Sequence, residues 1–202
     1  MKKSSILILI IICLVGCKKG SNETTITGEI KGLGTDTLYL YGMDELYDRI
    51  DTIYVENDKF SYTTSVDTIT SAYLLLKNRI EYPVFLDKGN KIKIKGDTIN
   101  LNFLTISGNI YNEEFTDFQK ALEDPADPSE KAGEETVDKR ITVEKANTAE
   151  EMAEEFILQH HSSYVSLYLL DKYFVQKETP DFSKIKKLVE VMTGVLQDKP
   201  YI

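Results

Sequence analysis

The chain has 202 residues, 42% hydrophobic and 28% charged, with a net charge of −9. That balance fits one large folded domain or two small ones and excludes a disordered chain. The acidity argues against a nucleic-acid partner held by its phosphates, and the only cysteines, Cys13 and Cys17, leave no disulfide framework, thiolate zinc site or redox pair downstream.

At the N-terminus Lys2 and Lys3 precede residues 6–16, an uncharged apolar run. It is too short for a hydrocarbon core, which takes about 20 residues. A basic start followed by a short apolar run is the order of a secretory signal. The run ends Leu14-Val15-Gly16-Cys17 and is followed by polar residues. An apolar residue, a small residue and Cys in line resemble the bacterial lipobox. The resemblance implies cleavage before Cys17, diacylglycerol on its sulfur and acylation of the new amino terminus. Residues 1–16 are thus expected to be a lipoprotein signal peptide, with Leu14, Val15 and Gly16 in the lipobox. Residues 17–24 are expected to be the acylated Cys17 and a polar tether. The mature chain would be held by acyl chains, at about 0.8 kcal/mol per buried methylene, rather than span the membrane. Cys13 reads as apolar filler of the signal.

From Thr25 the pattern has period two. Residues 25–31, 36–42, 49–55, 59–64, 71–77, 82–87, 91–95 and 100–107 read as strands. Turn signals part them: Gly32-Leu33-Gly34, Asn57-Asp58, Lys88-Gly89-Asn90 and Gly96-Asp97. In the second strand Leu38 and Leu40 take one face, Tyr39 and Tyr41 the other. Ile92 and Ile94 should face a core, with Lys91, Lys93 and Lys95 in water. Pro83 belongs at a strand start or on an edge. In the last strand Leu101 and Phe103 share a side, continued by Thr105.

After Ser107 the period is helical. Ile110, Phe115, Phe118 and Leu122 form a stripe over residues 109–122. Residues 124–147 hold Pro125 and Pro128 and no aromatic residue, and read as a weak helix or flexible connector. Thr148 to Glu151 is a capping-box pattern, followed by Met152, Phe156 and Ile157 on an apolar face. Ser162 or Ser163 caps a further helix in which Val165, Leu169 and Tyr173 recur. Pro180-Asp181 opens the last, with Phe182, Ile185, Leu188, Val189, Met192, Val195 and Leu196 on one stripe. The expected fold is α+β. An antiparallel β-sandwich or partly open barrel over 25–108 precedes a small helical segment over 109–202. Residues 18–112 carry 11 basic and 13 acidic groups, and residues 113–202 carry 11 and 20, so the acidity belongs to the helical half.

Chemistry-bearing clusters are sparse. His160 and His161 are neighbours and on a helix point about 100° apart, too far to grip one metal together. Glu150, Glu151, Glu154 and Glu155 could pair for acid–base work, but they open a helix, where negative charge is favourable anyway. Asp44, Glu45, Asp48 and Asp51 could hold Ca²⁺, without EF-hand spacing. No nucleophile elbow or phosphate loop is present. Tyr39, Tyr41, Tyr47, Tyr54, Tyr62, Tyr73 and Tyr82 suit half-buried sheet surfaces. Where several share an exposed face they would bind a glycan or peptide, with Tyr39, Tyr41 and Tyr62 as the candidate ligand face. No cofactor and no metal are expected.

Three stretches carry a further resemblance. They are the β portion from Ile26-Thr-Gly-Glu-Ile30 through Tyr82-Pro-Val-Phe-Leu-Asp-Lys-Gly89 to Lys91-Ile-Lys-Ile-Lys95, then Ser107-Gly-Asn-Ile-Tyr-Asn-Glu-Glu-Phe115-Thr-Asp-Phe118, and Ser162-Ser-Tyr-Val-Ser-Leu-Tyr-Leu-Leu170 with Thr179-Pro-Asp-Phe182. Together they resemble the N-terminal domain of unknown function of Bacteroidetes lipoproteins of the thiol-disulfide interchange type. In that family the domain precedes a thioredoxin-like domain. Redox exchange needs a Cys-x-x-Cys pair, which is absent here, and the sequence ends about where the family leads into its redox domain. The expectation is therefore a non-catalytic, lipid-anchored envelope accessory protein. It would position a partner such as a thioredoxin-like domain, in cis or in trans. A glycan- or peptide-binding module is the alternative. In such lipoproteins an acidic cluster after the acylated Cys accompanies surface export. Lys18 to Asn22 lack one, which implies an outer-membrane protein facing the periplasm. The seven tether residues after Cys17 reach roughly 13–16 Å.

Overall fold

The computed structural model describes residues 22–42, 45–76, 79–123, 149–192 and 196. The lipobox, Thr148 of the capping box, Val195 and the connector at 124–147 lie outside the described residues.

Eight strands form two four-stranded sheets: β1 (Glu23–Lys31), β2 (Asp36–Gly42), β3 (Ile50–Val55), β4 (Lys59–Ser65), β5 (Thr70–Leu76), β6 (Ile80–Leu86), β7 (Lys91–Asp97) and β8 (Thr105–Ser107). The first sheet has the order β4-β1-β7-β8 and the second β3-β2-β5-β6. Side chains alternate across a strand, so each sheet turns one apolar row inward. Ile26, Ile30, Phe60, Ile92, Ile94 and Ile106 of the first sheet are buried. So are Leu38, Leu40, Ile53, Ala72, Leu74 and Val84 of the second. The sheets do not close into a barrel; the β part is an open sandwich.

Pairing is antiparallel with one exception: β1 and β7 run parallel, from Thr25 opposite Lys91 to Lys31 opposite Asp97. Between them the chain builds all of the second sheet, the kind of long connection that a parallel pair requires. The β3–β4 turn is made by Asn57 and Asp58, both with positive φ (51° and 69°). The mutual Glu56–Lys59 backbone bonds, 2.9 and 3.1 Å, close it as a two-residue hairpin. The two strands then part, one into each sheet. Gly28 lies under the Phe60 ring, where a Cβ would stand 2.1 Å from its Cζ.

Four α-helices are described: α1 (Ile110–Glu123), α2 (Ala149–Gln159), α3 (Tyr164–Leu170) and α4 (Phe182–Val191). Ser163 caps α3 through the Val165 N–H at 3.1 Å. Asp181 caps α4 through the Ser183 and Lys184 N–H groups at 2.9 and 3.1 Å. Five expectations need correction. Gly96-Asp97, read as a turn, is the end of β7. Phe182, placed on the apolar stripe of the last helix, is exposed. Three more follow. The strand at 100–107 shrinks to Thr105–Ser107. A turn at 101–102 breaks the alternation, and Leu101, Leu104 and Ile106 are the buried residues there. After Leu170 the helix widens into a π-helical turn over Asp171–Val175. Ile110, placed on the buried stripe of α1 by its apolarity, is exposed.

What takes its place is polar. Asn112 and Thr116 are buried, one turn apart on α1. Asn112 accepts the Phe85 N–H at 3.0 Å and donates to the Phe85 carbonyl at 2.8 Å. Thr116 accepts the Ile106 N–H at 2.9 Å and donates to the Ile106 carbonyl at 2.9 Å. Phe85 is on β6, the edge of one sheet, and Ile106 on β8, the edge of the other. A single helix therefore satisfies the backbone of both sheet edges on that side. Tyr82 adds a third such clasp, donating to the Leu104 carbonyl at 2.8 Å and accepting its N–H at 3.1 Å. Around these bonds Phe85, Phe115 and Tyr168 pack edge to face at 5.3 and 6.3 Å. The α1–α3 layer thus covers the outer face of the second sheet at β5 and β6.

Candidate functional site

Among the described residues, nothing covers the other half of that outer face. In an antiparallel pair, residues directly opposite point the same way. Tyr39 opposes Thr52 and Leu75, Tyr41 opposes Ile50 and Tyr73, and Tyr54 opposes Thr37. Ile50, Thr52, Tyr54, Tyr39 and Tyr41 therefore share one surface. It is apolar and open, with Ile50 74%, Tyr54 73% and Tyr39 41% exposed. Tyr41 is half-buried, its ring 5.7 Å from Tyr73. Burial and the nearby Glu81 carboxylate push its hydroxyl well above the ordinary tyrosine range. Tyr73 in turn meets Tyr168 of α3 at 6.5 Å. The row runs from solvent at β3 to the helical layer at β5.

Tyr62 is not part of this surface. It lies on β4, opposite buried Ile26, and points between the sheets. Of the candidate ligand face, Tyr39 and Tyr41 come together and Tyr62 does not.

Strand β3 is also a sheet edge: β2 pairs with one side, and among the described residues no strand pairs with the other. A polar cluster fixes its N-terminal end. Tyr47 donates to Asp51, and Arg49 Nε donates to the same carboxylate oxygen at 3.1 Å. The Arg49 guanidinium also reaches Thr64 and the Ser65 carbonyl at 3.0 Å on β4. It stacks 4.6 Å over the Tyr47 ring. Burial and the Asp51 carboxylate raise the Tyr47 hydroxyl to about 12. It stays protonated at neutral pH and acts as a donor, not a nucleophile. Burial, then Asp51, raises Tyr62 as well. The cluster pins β3 against β4 without closing the edge.

Asp51, a candidate Ca²⁺ ligand, is thus engaged by Arg49 and Tyr47, and Asp44 lies outside the described residues. Among the described residues no three His, Cys, Asp or Glu side chains converge as a metal site. Of the acids at the start of α2, Glu150 and Glu154 are tied to lysines, and Glu155 accepts the Gln159 amide at 2.9 Å. Lys177 meets Glu150 at 2.6 Å, and Lys184 meets Glu154 at 2.7 Å and Glu150 at 3.5 Å. The Lys177 bond holds the Glu150 carboxyl below its ordinary range. His160 stacks on Phe156 at 4.1 Å, and its Nδ1 lies 3.1 Å from the Phe156 carbonyl. On the opposite outer face Lys93 and Lys95 point to water as expected. A shallow groove of about 490 Å³ runs there between Glu29, Lys31, Lys95, Asp97, Asn100 and Phe103.

Residues 24–115 match the model of a family described as a domain of unknown function (DUF4369). The matched span begins in β1 and ends inside α1 at Phe115, so it takes in both sheets and the first turns of the helix that clasps their edges. No curated protein matches the chain.

Proposed function

We propose that this is a lipid-anchored accessory protein of the cell envelope, non-catalytic, that holds a protein partner near the membrane. The run Leu14-Val15-Gly16-Cys17 behind a short apolar stretch carries the anchoring half of the reading. The open apolar surface around Tyr39, Ile50 and Tyr54 supports the partner half, because such patches on a folded domain commonly mark contact sites. A thioredoxin-like domain, in cis or in trans, is the partner this reading favours, on an outer membrane and facing the periplasm. The short tether keeps that partner close to the leaflet holding Cys17. A second reading has specific support. Tyr39 and Tyr54 lie on one exposed face, the arrangement a glycan- or peptide-binding module needs.

Cys17→Ala tests the anchor. In cells fed an alkyne fatty acid, the parent should be labelled and processed, and the variant unlabelled and left as precursor. Equal labelling of both would falsify the lipobox assignment. Protease digestion of the domain on intact cells would place it on the surface and favour the glycan- or peptide-binding reading.

A further inference from the structure

We propose that β3 is a docking edge: it accepts an extended, basic segment of a partner protein as an added strand of the second sheet. The proposal deepens the partner-positioning reading and rests on it. Strand addition needs a free ladder edge and side-chain contacts at alternate positions. Strand β3 supplies both. Its outer side is unpaired among the described residues, and Ile50, Thr52 and Tyr54 project from one face beside Tyr39. Natural edges are blunted by proline, lysine, shortness or a covering element. The other three show such devices: β8 has three residues and is covered by α1, β6 is covered by α1, and β4 alternates Lys59, Ser61, Thr63 and Ser65 outward. Between Ile50 and Val55 there is neither proline nor lysine, and the one inward-facing charge, Asp51, is paired with Arg49 and Tyr47. The Arg49–Asp51–Tyr47 cluster holds the strand in place beforehand, which lowers the ordering cost of binding.

Charge selects the occupant. Residues 36–58, which make β2, β3 and the loop between them, carry seven acids and a single base, Arg49. That base is committed to Asp51; the further acids among the described side chains are Asp36, Asp48, Glu56 and Asp58. A segment with lysine or arginine between apolar residues complements this ribbon and is steered to it. A second copy of the chain pairing through β3 would set two such acidic ribbons side by side, where like charges oppose association.

The probe is a synthetic ten-residue peptide alternating Val and Lys, titrated against the full chain in detergent by fluorescence anisotropy. It should bind at least tenfold more tightly than a Val/Glu peptide. It should also bind at least tenfold more tightly than a peptide with proline at alternate positions, which cannot complete the ladder. Ile50→Lys with Tyr54→Lys, both at exposed positions, should weaken binding at least tenfold. Equal binding of the proline peptide, binding untouched by the double variant, or no binding overturns the proposal. So does a dimer of the parent chain that the double variant dissolves. A photocrosslinker at position 54 or 93 in the intact envelope separates this proposal from the broader reading. Adducts from 54 alone support the β3 edge. Adducts from 93 alone reject the edge but keep a partner, and none from either site rejects both.

Discussion

The two long sides of the sandwich solve the same problem in opposite ways. On one side β6 and β8 end their sheets, and α1 lies across both. Asn112 and Thr116 each take the N–H and the carbonyl of one edge residue. On the other side β3 and β4 leave a common turn and part, and among the described residues no helix covers the gap. There Tyr47, Arg49 and Asp51 brace β3 while its outward edge stays open. An unsatisfied backbone group costs about 1–3 kcal/mol only where water is excluded. The clasped side is buried and must be paired; the braced side faces solvent, where water satisfies its unpaired groups. The difference teaches that polar residues on α1 are buried and paired where the edges are closed, whereas apolar residues on β3 are exposed where the edge is not.

Thr116→Val breaks the clasped side with little change of shape and, with Tyr82→Phe, has the largest expected effect. The Ile106 N–H and carbonyl lose their hydroxyl partner in a buried site. A loss of about 2–6 kcal/mol follows from two such groups, read as a lower guanidinium midpoint at unchanged slope. A loss under about 0.5 kcal/mol would mean that α1 rests on the edges without holding them.

Tyr82→Phe sharpens the point with a pH signature. Leu104, just ahead of β8, loses the hydroxyl that serves both its backbone groups, at about 2–6 kcal/mol on the same count. Burial raises the Tyr82 hydroxyl to about 12, against an unfolded value of about 10. The folded state therefore holds this proton more tightly than the unfolded chain. Its contribution is complete below pH 10 and is lost as pH rises towards 12. Urea melts across that window should steepen in the parent, by up to about 1.4 kcal/mol per pH unit for this group. The variant should lose stability less steeply, with Tyr47 on the braced side still titrating. Parallel curves for the two proteins would assign the alkaline loss to other groups.

Much of this division was legible in the sequence. Period-two alternation located seven strands and only the end of the eighth, and Lys91 to Lys95 reported which side faces water. Asn57-Asp58 marked the hairpin turn, and Leu38 to Tyr41 separated a core pair from a surface pair. The clasp was not legible. Pattern reading assigns polar residues outward, so it placed Ile110 inside and passed over Asn112 and Thr116. Their burial is decided by two carbonyls and two N–H groups contributed from distant strands. The open surface was half legible. Residues 49–55 are apolar on both faces, since Ile50 and Tyr54 alternate with Ile53 and Val55. Only the place of β3 at the end of its sheet decides which pair meets solvent. Tyr62 looked equivalent to Tyr39 for the same reason, until β4 joined the other sheet.

The smallest expected effect is the most diagnostic. Ile50→Lys with Tyr54→Lys changes two large apolar side chains to charged ones on the braced side. Both are already about three-quarters exposed, so folding removes little of their surface from water, and at about 25 cal/mol per Å² little stability is forfeited. The added positive charge lies in an acidic ribbon, which favours it slightly. The melting temperature in thermal unfolding should stay within the range typical of surface substitutions, equivalent to about ±0.5 kcal/mol. A larger loss would mean that Ile50 and Tyr54 serve the fold and need no ligand to account for them. An unchanged stability, set beside weakened peptide binding in the same variant, would leave the apolar edge with no role in folding and assign it to association.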